Sequence, residues 1–433
     1  MNKLAISGGE AVVSLPYNKV WPPISHEEVE ACIRLIARRE LSYYGREGEV
    51  KDLEDKFTEY HQTKYAIATG TGTSSLHSAF FAVGVGPGDE VIVPTYTFLA
   101  TVTPIFQCYA KPVLCDCEPD TGNIDPEKIK LLITDKTKAI VLTHMWGHPC
   151  DMDKILDICK EHNIFLIEDC SHAHGATYNG KKVGSIGDVG CFSLQTNKII
   201  SAGTGGILIT NNQEIYERAT LLGHFRVRSQ QCVESEKYAK YAKTGFGMNY
   251  RMHPLGAAMA SRQMDDLDRR IEERNKNLNY LTDLLKEIPG INPPITRENV
   301  TRGAYYGYKP HYKSEELNNL PLEAYVAALQ AEGVDVHLPG SKPLHLSPIF
   351  QEGGARDLYS FNGNTYYDMD LNYKRGDFPV AEKFQGTSLS MPTFTGEPDL
   401  LIEQYAFAFR KIANNVEEVA SWWEEKSKVE ARV

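Results

Sequence analysis

The sequence predicts an α/β protein, a large mostly parallel sheet with helices over both faces, followed by a smaller C-terminal unit. Three observations predict it. Between residues 65 and 211, short β-rich runs alternate with helical stretches. The runs are continuously apolar, as strands buried on both faces are. Turn sequences such as "VGPGDE" and "EPDTGN" separate the elements.

In chain order, the first expected strand is "YAIAT" (65–69), followed by a helical pattern over 73–84. "EVIVP" (90–94) leads into a helical pattern over 97–109, and "KPVLCD" (111–116) into one over 125–133. "KAIVLTH" (138–144) precedes a helix over 151–162, and "IFLIED" (164–169), "VGCFSL" (189–194) and "GILIT" (206–210) complete the sheet. From about 254 a long helical pattern places Leu267, Ile271, Leu278, Leu281, Leu285 and Ile288 on one face, and "PG" at 289–290 stops it. This helix is expected to join a large unit, 1–265, to a smaller α+β unit, 266–433. The latter is richer in Pro, Tyr and Asn, with helical patterns at 321–332 and 399–425.

Composition narrows the function classes. With 433 residues, 42% hydrophobic and 24% charged, the chain can build a sizeable core. Its formal charge is −11 without a basic block, which argues against nucleic acid or an anionic membrane as main partner. The first residues lack an apolar h-region and no run of about 18 apolar residues occurs, so a soluble, cytoplasmic protein is expected. Nine cysteines without a C-x-x-C pair read as buried free thiols rather than disulfides or a zinc site.

Three signals sit at the carboxyl ends of expected strands, where open α/β sheets bind ligands. In "ATGTGTSSLHSA" (68–79) a glycine turn runs into a helix, and the N–H groups of Gly72 and Thr73 suit a phosphate, although such turns are often only tight turns. It is neither a dinucleotide fingerprint nor a Walker loop. In "LIEDCSHAHGA" (166–176), Asp169 can face a protonated ring nitrogen or cap an element, and His172 can bond a neighbouring oxygen. A metal site from His172, His174 and Cys170 lacks a further ligand at typical spacing. In "FSLQTNKIISAGTGG" (192–206), Ser193 and Lys198 stand five positions apart, and Lys198 is either a solvated lysine or one held for Schiff-base chemistry. Together these signals suit pyridoxal 5'-phosphate, which needs a phosphate cradle, an acid at its pyridine nitrogen, a stacking aromatic and a lysine. Phe98, in "VPTYTFLAT", supplies the aromatic.

"TGTSSLHSA", "GDEVIVPTYTFLATVTPI", "IEDCSHAHGA", "CFSLQTNK" and "GMNYRMHPLGAAM" occur in this order, and with them the chain resembles the DegT/DnrJ/StrS-type sugar aminotransferases. The likeness implies a fold-type I pyridoxal phosphate enzyme. It makes Lys198 the cofactor lysine, Asp169 the nitrogen partner, Phe98 the stacking residue and His172 the group near the ring hydroxyl. Gly72, Thr73 and Ser193 become phosphate ligands, and Asn249 in "GMNYRM" would reach the phosphate of a neighbouring subunit in a homodimer. "SLQTNK" and "DCSHAHGA" are similar to the branch holding scyllo-inosose aminotransferases and 3-amino-5-hydroxybenzoate synthase, whereas Thr204 in "GTGG" stands where an acid is usual.

The implied reaction moves an amino group from glutamate or glutamine to a keto sugar or keto cyclitol. Arg226 and Arg228 in "GHFRVRSQ" are either anion ligands or part of a solvated loop. The rivals are a lyase or aromatising synthase on the same scaffold, and a cofactor-binding regulator without turnover, which would not need Lys198.

Overall fold

The computed structural model describes residues 3–17, 20–340, 342–361, 364–365 and 371–430. Its centre is a seven-stranded sheet: β1 (Tyr65–Thr69), β2 (Glu90–Pro94), β3 (Lys111–Cys115), β4 (Thr137–Thr143), β5 (Phe165–Asp169), β6 (Val189–Ser193) and β7 (Gly206–Thr210). Each lies within a residue or two of its expected run. The strand order is β1-β7-β6-β5-β4-β2-β3. β7 runs antiparallel to both β1 and β6, and every other pairing is parallel.

Alternation along each strand divides the apolar residues between two faces. Ile67, Val93, Val141, Ile167, Val189 and Leu208 pack on one side with Leu76, Ala79 and Phe80 of helix Gly72–Ala82. On the other, Ala66, Ala68, Phe192, Ile207 and Ile209 meet Leu53 and Phe57 of helix Gly48–His61 and Ala257 and Ala260 of helix Pro254–Met264. The parallel strands place Thr143, Asp169 and Ser193 at one end of the sheet, beside Gly206 and Thr69.

Three expected helices are interrupted. The 97–109 pattern becomes a 3-10 turn, Leu99–Thr101, and a short helix, Thr103–Gln107. Pro104 has no N–H to give the carbonyl four residues back, so a continuous helix cannot run through it. The long helix from 254 is two, Pro254–Met264 and Leu267–Leu285, broken at Asp265 and Asp266. The 399–425 pattern is also two, Asp399–Ala413 and Val416–Glu430. Asn415 turns its side-chain amide back to the Lys411 carbonyl (2.7 Å), competing with the helical ladder at the junction.

The C-terminal apolar cluster joins Leu278, Leu281 and Leu285 to Tyr325, Leu329, Phe394, Phe409 and Ile412. Leu4 is buried in the same cluster. The buried Glu332 carboxylate explains that docking. It accepts from the N–H groups of Ala5 (2.9 Å) and Val12 (3.2 Å) and pairs with buried Lys411 (2.9 Å). Conversely, Leu344, Phe350, Phe378, Ala381 and Phe384 return to the cluster built on the sheet. Packing therefore crosses position 265 in both directions. All nine cysteines are free, seven of them buried, and among the described residues no helix is long and apolar enough to cross a membrane.

Candidate active site

One cavity, about 1110 Å³, opens at the carboxyl end of the sheet, and Gly72, Thr73, Phe98, Asp169, His172, Ser193 and Lys198 all line it. Seven residues spread over 126 positions of sequence meet there because each follows a strand that ends at the same edge.

Asp169 closes β5 and is buried. Its Oδ2 accepts from the Thr101 hydroxyl (2.8 Å) and its Oδ1 from the Ser171 N–H (3.0 Å). Thr101 in turn belongs to a hydroxyl chain, with Thr97 2.9 Å away and Thr143 2.8 Å beyond. The neighbouring acid, Glu168, points to the opposite side of the strand, as period-two geometry requires. There it accepts from the N–H groups of Gly184, Ile186 and Gly187 and meets His144 Nε2 at 3.0 Å. Glu168 is thus committed to structure and Asp169 faces the cavity. Cys170 groups with His144 and Glu168, not with His172 and His174.

Lys198 lies in the loop joining β6 to β7. Backbone bonds from Leu194 to Gly205 (2.9 Å), Thr196 to Gly203 (3.1 Å) and Lys198 to Gln195 (2.8 Å) tighten this loop. Trp21 Nε1 donates to the Lys198 carbonyl (3.1 Å), and the Arg274 guanidinium covers the Trp21 ring at 4.6 Å. The side chain is 7% exposed and its amine sits 3.6 Å from the Tyr306 ring centroid. Burial pushes this amine down to about 8, against a smaller opposing pull from Asp169. The solvated-loop reading of Lys198 is therefore excluded.

At the other end, Thr71 caps helix Gly72–Ala82 through the Ser74 N–H (3.0 Å), so the first two N–H groups, of Gly72 and Thr73, remain at the cavity wall. A side chain at position 72 would bring its Cβ within 2.8 Å of Ser193 Cβ. Glycine is required for that close approach, and the two N–H groups of the helix start suit an anion. His172 is buried and stacks on Tyr306 (4.1 Å) and Trp146 (5.2 Å). Burial holds its imidazole well below the usual range, with the Lys198 and Lys309 charges adding to the effect. His172 Nδ1 is buried without a hydrogen-bond partner. Phe98, 66% exposed, leaves a ring face open at the cavity wall.

These features fit pyridoxal phosphate: an anion cradle at one end, a buried amine, an orphaned imidazole nitrogen and a fixed carboxylate. The profile of the DegT/DnrJ/EryC1/StrS aminotransferases matches residues 22–399. The chain belongs to the DegT/DnrJ/EryC1/StrS aminotransferase family. It is accordingly a pyridoxal phosphate-dependent aminotransferase. L-glutamine:scyllo-inosose aminotransferase of Streptomyces griseus is 31% identical, with 97% of this chain and 99% of the relative aligned. GDP-perosamine synthase of Caulobacter vibrioides is 35% identical over 78% of this chain and 87% of the relative. Among solved structures, the aminotransferase from Psychrobacter cryohalolentis superposes with a TM-score of 0.79 at 30% identity, covering 93% of this chain and 100% of that one.

Three residues offered by the sequence stand apart from the cavity, Arg226, Arg228 and Asn249. Arg228 is neither an anion ligand nor solvated. It is buried and holds Glu54 with two bonds (2.6 and 3.1 Å) and the Ala66 carbonyl with a third, while Arg226 is exposed. Asn249 lies exposed in the "GFGMNY" loop, outside the cavity walls, with its Oδ1 near the Arg251 N–H (3.4 Å). Sequence reasoning missed Thr101, Trp21, Trp146, Tyr306, Lys309 and Arg274, all cavity-facing or one bond removed from it. The nearby threonines of "TYTFLAT" were the local signal available, a pair of hydroxyls that the turn at Leu99–Thr101 brings to 2.9 Å.

Proposed function

We propose that this aminotransferase moves the amino group of L-glutamine or L-glutamate to the ketone of a keto cyclitol, in aminocyclitol biosynthesis in the cytoplasm. The observation that carries this is Lys198, a buried amine of lowered basicity in a cavity whose cradle, acid and imidazole suit one cofactor. The near full-length likeness to a scyllo-inosose enzyme supports the acceptor class. The perosamine synthase relative favours a second reading, with a nucleotide-linked keto sugar as acceptor.

Bound in the cavity, pyridoxal phosphate supplies an electron sink for charge developing on the substrate carbon. The chain's residues do the rest. Gly72, Thr73 and Ser193 hold the phosphate through N–H and hydroxyl donors. Asp169, fixed by Thr101 and Ser171, keeps a proton on the pyridine nitrogen. His172, kept neutral by burial, would offer its unpartnered Nδ1 to the ring hydroxyl. Phe98, at the cavity wall, would lie against the ring. Lys198 Nζ takes up and returns the proton at the reacting carbon, which an amine titrating near 8 does readily at cellular pH. The test is a half-reaction screen. Protein carrying the amine form of the cofactor should return to the aldehyde form with keto cyclitols. Recovery with nucleotide-linked keto sugars alone would select the second reading.

The working form is a homodimer in which Asn249 serves the partner's site. Support comes from exposed apolar groups, Phe246 and Met248 in the Asn249 loop and, elsewhere on the surface, Val29, Ile33 and Ile36 along helix His26–Arg38. Lys198→Ala and Asn249→Ala proteins should each be impaired, and mixed heterodimers should regain one intact site. If both residues served one site from one chain, mixing would restore nothing, even with subunit exchange confirmed by mass.

A further inference from the structure

Lys309 is a second amine of the cavity, half-buried, and the reaction as derived leaves it unused. Its Nζ donates to the Ser390 hydroxyl and lies 4.6 Å from the Trp146 ring centroid. Among the described residues no carboxylate pairs with it, and burial holds it down to about 8. The setting is built rather than incidental. A Cβ at Gly307 would fall 2.6 Å from Trp146 Cε3, so only glycine lets that ring lie against the segment carrying Lys309. Trp146 itself holds φ at 51°, a left-handed conformation that a bulky residue rarely adopts and that concentrates at functional sites.

The amine also stands beside the reacting centre. Lys198 lies over Tyr306 and Lys309 over Trp146, and the two rings are nearly parallel (5°) with centroids 6.2 Å apart. His172 stacks on both and feels the charge of both lysines. A partly desolvated cation without a counter-charge carries a cost that a bound anion offsets. Among the reactants, the anionic group bonded directly to the reacting carbon is the donor's α-carboxylate. A keto cyclitol has no charge, and a nucleotide diphosphate is separated from the reacting carbon by the sugar ring.

We propose that Lys309, tethered by Ser390 over the Trp146 ring, binds the α-carboxylate of the amino donor and selects amino acids over simple amines. The assignment rests on the aminotransferase reading and names its donor subsite. The experiment follows conversion of bound cofactor from its aldehyde to its amine form, by absorbance, with L-glutamine and with 4-aminobutanamide, which is L-glutamine without the carboxylate. Loss of a charge-assisted bond should raise the KM for L-glutamine by roughly ten- to a hundred-fold in Lys309→Met. The preference over 4-aminobutanamide should fall by the same factor, with the acceptor KM unchanged. Lys309→Arg should recover most of both. Unchanged donor preference in Lys309→Met, or a rise in the acceptor KM instead, overturns the proposal. Should Lys309→Met fail to fold, Ser390→Ala must raise the donor KM by a few-fold, and no change there is equally fatal. Wild-type protein inert toward both L-glutamine and L-glutamate would overturn the donor reading itself. Activity with either donor but unaltered variant preference overturns the Lys309 assignment alone.

Discussion

Lys198→Ala protein should retain bound cofactor and lose transamination, by on the order of 10⁴-fold or more, because one group supplies both the covalent anchor and the moving proton. The phosphate cradle at Gly72, Thr73 and Ser193 is independent of the lysine side chain, so cofactor content should survive. Borohydride reduction of the wild type should fix the cofactor to Lys198, read by peptide mass. Lys309 makes this a demanding test, since desolvation holds the Lys198 and Lys309 amines alike near 8. Label on Lys309, or no label, would defeat the assignment of Lys198. The lowered value also sets a pH dependence. The amine is neutral above about 8 and protonated below, so recapture of cofactor by apoprotein should speed up with rising pH and level off above that value.

Asp169→Asn should lose roughly 10²- to 10⁴-fold in turnover with far less change in cofactor content. An amide of the same shape still meets Thr101 and Ser171 but carries no charge to hold a proton on the ring nitrogen, and each ~1.4 kcal/mol of barrier is tenfold in rate. Measured kcat beside the absorbance of bound cofactor separates these effects. Near-normal turnover would remove Asp169 from the mechanism. Because Thr101 touches the carboxylate directly at 2.8 Å, its loss should act in the same direction but by less.

Much of this site could be read without coordinates because its signals are local. Gly72, Asp169, Ser193 and Lys198 each stand just beyond a continuous apolar run, and such runs mark the strands that end at the ligand edge. The breaks in the helices at Pro104 and Asn415 were also written in the residues themselves, although apolar periodicity alone passes over them. Arg228 was not legible. Its partner Glu54 lies 174 positions away in a helix whose local sequence carries no sign of it.

The sequence by itself determined the seven strands, the α/β class, the cofactor and the residues at the strand ends, since apolar runs and turn residues act over a few positions. Only the tertiary structure decided that Lys198 is covered by Trp21 and Tyr306. It also decided that Lys309 shares the cavity and that Asn249 stays outside it. The covering of Lys198 and the placing of Lys309 depend on contacts between residues far apart in the chain, 177 positions for Trp21 with Lys198 and 81 for Lys309 with Ser390. No local propensity specifies such a contact, because it forms only when strand order and the packing of both sheet faces bring the two chain segments together.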